Sequence, residues 1–196
     1  MTELPRAYDH RYHAGNVGDV WKHAALCTWL AAWRSERRAI VETHAGAGTY
    51  TLGATGEWTE GVGRLLEAPA SPLYDGYLER VRRAGERRYP GSPLLTQSYL
   101  GPHDRMIVHE LAPEPLATLR PALAHDPRVE VRAGDGLAGL EDALDAVRDH
   151  DTLLVVDPPY ADRREWSDVP AALGRALARF PRTRVLLWYP VKSHAR

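Results

Sequence analysis

Five short aliphatic runs, at residues 39–43, 106–110, 129–133, 152–157 and 184–189, alternate along the chain with segments whose apolar residues recur at helical spacing. Those segments are residues 19–34, 114–124, 136–147 and 169–180. Runs that are apolar on successive residues suit strands buried on both faces, and a helix between each pair makes the strands parallel. The pattern predicts an α/β fold, a Rossmann-like sheet with helices on both faces. One interval breaks the rhythm. More than fifty residues separate Gly48 from Arg105, where a simple crossover needs far fewer. That stretch holds one helical segment, residues 73–85, between the turn-rich strings TLGATGEW and RRYPGSPLL. It predicts an inserted helical lobe over about residues 50–104 within a single domain spanning 1–196.

In open parallel sheets ligands bind beyond the C-terminal ends of the strands, so the residues that close each run carry the functional signal. The fourth run ends in VVDPPY. Proline lacks the N–H and fixes φ, so pairing stops there and Asp157 and Tyr160 leave the sheet on a rigid turn. The first run ends in VETHAGAGTY, where Gly46 and Gly48 allow a sharp turn and a close approach of backbone to ligand. The third glycine of a dinucleotide fingerprint is missing, because Thr51 stands in its place. Glu110 closes the second run, placed to accept bonds from the two hydroxyls of a ribose. Asp135 follows the third run, placed to accept from an exocyclic adenine amine. Together these describe a nucleoside pocket with a separate carboxylate, Asp157, left for chemistry.

An exocyclic amine gives its lone pair to the ring and is a poor nucleophile. Two acceptors on its two hydrogens, the Asp157 side chain and the Pro158 carbonyl, would restore that lone pair, and Tyr160 would stack on the base. Composition narrows the partners. A net charge of −1 means that any surface for nucleic acid is local, and Arg80, Arg82, Arg83, Arg87 and Arg88 of the lobe supply the densest basic patch. A single cysteine, Cys27, fits a reducing compartment, and no leader or membrane span is visible, so a cytoplasmic location is expected. The nine histidines follow no zinc spacing and predict no metal site. Trp21, Trp29 and Trp33 recur at near-helical spacing and are expected to pack inward.

These residues carry a resemblance. DPPY after a strand, with a glycine turn on an earlier one, is similar to the class I S-adenosylmethionine-dependent amino methyltransferases. YDHRYHAGNVGDVWKH from Tyr8 to His23, then ETHAGAG, YPGSPLL and LLWYPV, resemble in that order the bacterial 23S ribosomal RNA adenine-N6 methyltransferase J family, from about Tyr8 to Val191. The resemblance implies S-adenosylmethionine as cofactor, held by His23, His44, Ser92, Glu110, Asp135, Gly136 and Asp157, with Gly46 in the turn. It implies Asp157 as catalytic acceptor and Tyr8, His10 and Lys22 as contacts to the RNA. The implied partner is 23S ribosomal RNA, protein-free or in an early precursor, and the implied enzyme is a monomer. The family runs on past WYPV, so its last, antiparallel strands are expected to be absent here.

Two rivals remain at this point. A glycine turn after a strand also serves NAD-dependent dehydrogenases, although DPPY would then have no task. The second rival is a catalytically impaired, truncated RNA-binding remnant of the same family.

Overall fold

A computed structural model describes residues 10–191, with side chains from Tyr12 onward. The elements run α1 (His10–His13), α2 (Val17–Ala32), β1 (Arg38–Glu42), β2 (Thr49–Thr51), α3 (Val62–Glu67), α4 (Asp75–Arg83), β3 (Arg88–Pro90) and α5 (Ser92–Gln97). They continue with β4 (Arg105–Glu110), α6 (Pro113–Leu123), β5 (Val129–Ala133), α7 (Leu140–Ala146), β6 (Asp151–Val156), α8 (Glu165–Arg179) and β7 (Arg184–Leu187).

The five aliphatic runs form one parallel sheet in the order β5-β4-β1-β6-β7. The chain starts in the middle, steps outward through β4 and β5, then returns to the far side of β1 for β6 and β7. That reversal opens a crevice at the C-terminal end of β1. Alternate residues of each strand serve opposite faces. Ala39, Val41, Ile107, Leu154 and Val156 pack under Leu140 and Leu144 of α7 and Val169 and Leu173 of α8. Ile40, Met106, Val108, Leu153 and Val155 pack under Leu26 and Leu30 of α2 and Leu119 and Leu123 of α6. Helices on both faces are what the unbroken aliphatic runs required. At about 25 cal/mol per Å2 of apolar surface removed from water, this two-sided burial is the main force holding the sheet.

Helix α2 has a second task. Asn16 caps it, its side-chain oxygen accepting from the Asp19 N–H at 2.9 Å. While Leu26 and Leu30 face the sheet, Ala24 and Cys27 face the inserted lobe, where Tyr77, Leu78, Val81, Tyr89 and Val62 form a separate core. The expected helix at 73–85 is α4. Two further short helices and an antiparallel pair, β2 with β3, were not expected, since strands of three residues show no readable period. Tyr50 faces Tyr89 across that pair. Of the three tryptophans expected inside, Trp33 is buried, but Trp21 and Trp29 are exposed on α2, Trp21 by 64%. Strand β7 pairs with β6 and forms one edge of the sheet, with Arg184 ion-paired to Asp151 at its start. No helix among the described residues is long and apolar enough to cross a membrane.

Candidate active site

The turn after β1 sits where β1, β4 and β6 end together. Thr43 N–H donates to the Val155 carbonyl at 3.2 Å and Ala45 N–H to the His109 carbonyl at 2.9 Å, which pins the turn to both neighbouring strands. Gly46 then takes φ +65, a left-handed conformation that glycine adopts at no steric cost, and a side chain there would strike the Tyr50 hydroxyl. The Glu110 carboxylate reaches across from β4, accepting from the Gly46 N–H and the Ala112 N–H, each at 2.7 Å. From the next strand, Gly136 lies so close that a Cβ would overlap the Thr43 carbonyl. Three strand ends are therefore in contact through backbone. Asp135 is exposed beside them, its Oδ1 accepting from the Leu137 N–H at 2.8 Å.

The DPPY turn holds the strongest electrostatic feature. Lys22 of α2 places its Nζ 2.6 Å from Asp157 Oδ2 and 2.8 Å from Asp19 Oδ1. Asp19 is held in turn, its Oδ2 accepting from the Gly15 N–H at 2.7 Å. Burial disfavours the charge on Lys22, but the two carboxylates outweigh it and hold the ammonium well above the ordinary lysine range. The same cation, with His23, keeps buried Asp19 below the ordinary carboxylate range, although burial alone would raise it. Asp157 thus has Oδ2 fixed on Lys22, while Oδ1 makes no bond among the described residues. Pro158 is buried behind it. Tyr160 takes φ +50, unusual for a residue with a side chain, and its ring lies 4.5 Å from that of Trp166.

Several expected site residues sit deeper than a direct contact would need. The Ser92 hydroxyl donates to Glu42 Oε2 at 3.0 Å, and Thr96 donates to Oε1 at 2.9 Å. Glu42 is 1% exposed, and burial pushes its carboxyl up to about 7 against those two hydrogen bonds. It was not singled out in the sequence, where a glutamate closing a strand reads as an ordinary cap. His23 is buried in the lobe, Nδ1 2.7 Å from the Tyr89 hydroxyl, which is itself 3.0 Å from that of Tyr77. His44 stands at the mouth, Nδ1 2.8 Å from Thr43 Oγ1. Burial lowers its pKa, opposed by Asp157, Glu165, Asp135 and Glu110. Lys22, expected at the RNA surface, is mostly enclosed between its two carboxylates. Tyr8 lies outside the described residues; His10 lies in α1, without a described side chain.

The basic patch divides. Arg80 lies 3.6 Å over the Tyr99 ring and donates to Ser98 Oγ at 2.6 Å, so it is a packing residue. Arg83 is paired with Glu79 at 2.6 Å. Arg82 and Arg88 are exposed and make no ion pair among the described residues. An open concavity of about 810 Å3, lined by residues including Glu36, Arg37, His103 and Arg105, lies at the opposite ends of the strands, away from the glycine turn. The candidate site lies instead at the strand ends around Asp157, where the glycine turn, Glu110 and Lys22 meet.

Comparison with known proteins identifies the family. The family model described as "Ribosomal RNA large subunit methyltransferase D, RlmJ" matches residues 35–196. The chain belongs to this family. Ribosomal RNA large subunit methyltransferase J of Escherichia coli is 32% identical over 197 residues, covering 94% of this chain and 70% of that protein. Its Haemophilus influenzae namesake is 31% identical, with the same coverage. The crystal structure of protein LPL1258 from Legionella pneumophila superposes with a TM-score of 0.85 at 29% identity, covering 91% of this chain and 70% of that one. As a member of the RlmJ family, the chain is a ribosomal RNA methyltransferase, and the dehydrogenase reading is set aside.

Proposed function

We propose that this protein transfers the methyl group of S-adenosylmethionine to N6 of an adenosine in 23S ribosomal RNA. The carrying observation is the Asp157 carboxylate at the end of β6, with one oxygen fixed on Lys22 and the other open beside the glycine turn. The pocket fits the cofactor. Gly46 and Gly136 leave no room for side chains between the turns, and Glu110 stands where ribose hydroxyls would exchange for its present backbone donors. Asp135 and Gly136 would take the adenine edge. Ser92 supports the floor through Glu42, His23 supports α2 through Tyr89, and His44 closes the mouth.

When bound, the cofactor supplies an electrophilic methyl on a positively charged sulfur. The protein's task is then alignment, with the acceptor nitrogen about 3–3.5 Å from that carbon and in line with the bond that breaks. Asp157 Oδ1 and the Pro158 carbonyl accept the two N6 hydrogens and draw the lone pair out of the ring. Tyr160 holds the base plane. As the N–C bond forms and the methyl leaves the sulfur, Oδ1 would accept the proton that N6 releases. Lys22, held on Oδ2, orients the Asp157 carboxylate for this step. The adenosine must be unpaired or extruded to reach the turn, which favours cytoplasmic 23S RNA not yet covered by ribosomal proteins. Every group named comes from one chain, so the proposed chemistry needs no second subunit.

The test is transfer of labelled methyl to protein-free, unmodified 23S RNA, with Asp157→Ala alongside. The wild type should label the RNA, and the variant should bind cofactor yet transfer almost none. Equal labelling by both would refute the assignment of Asp157. Cofactor binding without labelling by the wild type would favour the remnant reading.

A further inference from the structure

The segment that follows the DPPY turn, ADRREW, returns Trp166 to the face of Tyr160. The two ring centroids are 4.5 Å apart, with planes inclined at 43°. Trp166 is nonetheless 50% exposed. The contact with Tyr160 therefore leaves about half of Trp166 open to a further ring. The neighbouring charges are arranged unequally. Arg164 is committed to Asp162, with Nε at 3.0 Å and its terminal nitrogen at 2.7 Å. Arg163 is exposed and makes no ion pair among the described residues. An open aromatic face beside an uncommitted guanidinium is how proteins grip single-stranded nucleic acid. Tyr160 itself holds φ +50, a conformation that persists only where the surroundings enforce it, and Trp166 is the ring against it.

We propose that Trp166 is a second stacking platform of the RNA site, taking the base of a nucleotide next to the target adenosine, with Arg163 meeting that nucleotide's phosphate. This rests on the reading of the protein as an RNA methyltransferase. Extruding one base leaves its neighbour with an open face, and Trp166 stands one ring away from where the target is held. Stacking of this kind tolerates any base, so the platform adds affinity and keeps the target extruded without choosing the sequence.

Trp166→Ala and Trp166→Phe test it, in steady-state methyl transfer to protein-free 23S RNA and in fluorescence titration with the same RNA. Loss of one stacked base should raise the KM for RNA about tenfold in Trp166→Ala, with a smaller change in kcat and unchanged cofactor affinity. Trp166→Phe should recover most of the KM. It should also show less RNA-induced quenching of tryptophan fluorescence than the wild type, because the stacked indole is gone. An unchanged KM in Trp166→Ala, or a fall in kcat alone, overturns the proposal. Should Trp166→Ala fail to fold, the Phe variant decides, and quenching equal to the wild type overturns it. If the wild type transfers no methyl to RNA, the functional reading falls and the platform with it; transfer without these effects removes only the platform.

Discussion

Glu42 allows a quantitative test of how the floor of the site is built. Its carboxyl is sealed under the glycine turn, receives hydrogen bonds from Ser92 and Thr96, and is pushed by burial to about 7 from an ordinary value of 4.5. Between those two values the folded protein retains a proton that the unfolded chain has released. Stability must therefore fall as pH rises through this window, and level off above about pH 7. A shift of about 2.5 units at 1.36 kcal/mol each makes the loss about 3 kcal/mol. Glu42→Gln keeps the shape, accepts from one hydroxyl and donates to the other, and cannot ionise. Urea unfolding of both proteins from about pH 4.5 to about pH 8.5 isolates this group, since other titrations cancel in the difference. Relative to wild type, the glutamine variant should gain about 3 kcal/mol across that range, most of it between about pH 5 and 7. A difference that stays flat with pH, or slopes the other way, would refute the reasoning.

The Lys22 cluster makes a second prediction. Lys22→Met leaves Asp157 and Asp19 facing each other without their cation, and should destabilise the protein by about 2 kcal/mol, below the figure for a fully buried pair because the site is partly open. Adding Asp19→Asn should recover much of that loss; simple additivity in the double-mutant cycle would show that the groups are not coupled. On the lobe, Arg82→Gln with Arg88→Gln should lower the slope of log affinity against log salt for 23S RNA by about 1.4–1.8, whereas Arg83→Gln, removing a cation already paired with Glu79, should change it less. An unchanged slope in the double variant removes the lobe from the interface.

The sheet was legible because strands buried on both faces must be aliphatic throughout, and five such runs leave few alternatives. The strand ends were legible as candidate positions, since a carboxylate directly after an apolar run, as at Glu110 and Asp157, leaves the sheet where ligands bind, yet the same pattern at Glu42 reads as an ordinary cap. The pairing of Lys22 with Asp157 was not legible, because the partners lie 135 residues apart and meet only when α2 closes over the β6 end. Glu42 was hidden for the same reason, since the hydroxyls bonded to it, those of Ser92 and Thr96, come from the lobe, which no local pattern connects to β1. Asp135 caps the turn before Leu137, a local task that its place in the sequence does not separate from the proposed contact to the adenine edge. The outward tryptophans of α2 followed helical spacing, but that helix is flanked by the sheet and the lobe on only part of its circumference.

The most direct test of the central claim is the identity of the methylated nucleoside. Protein-free, unmodified 23S RNA incubated with the enzyme and labelled S-adenosylmethionine, then digested to nucleosides and separated, should yield label in N6-methyladenosine alone. Label in a ring-nitrogen methyladenosine would contradict the account, because the two acceptors proposed at Asp157 and Pro158 serve an exocyclic amine, and label on the amine of cytidine or guanosine would contradict adenosine as the substrate.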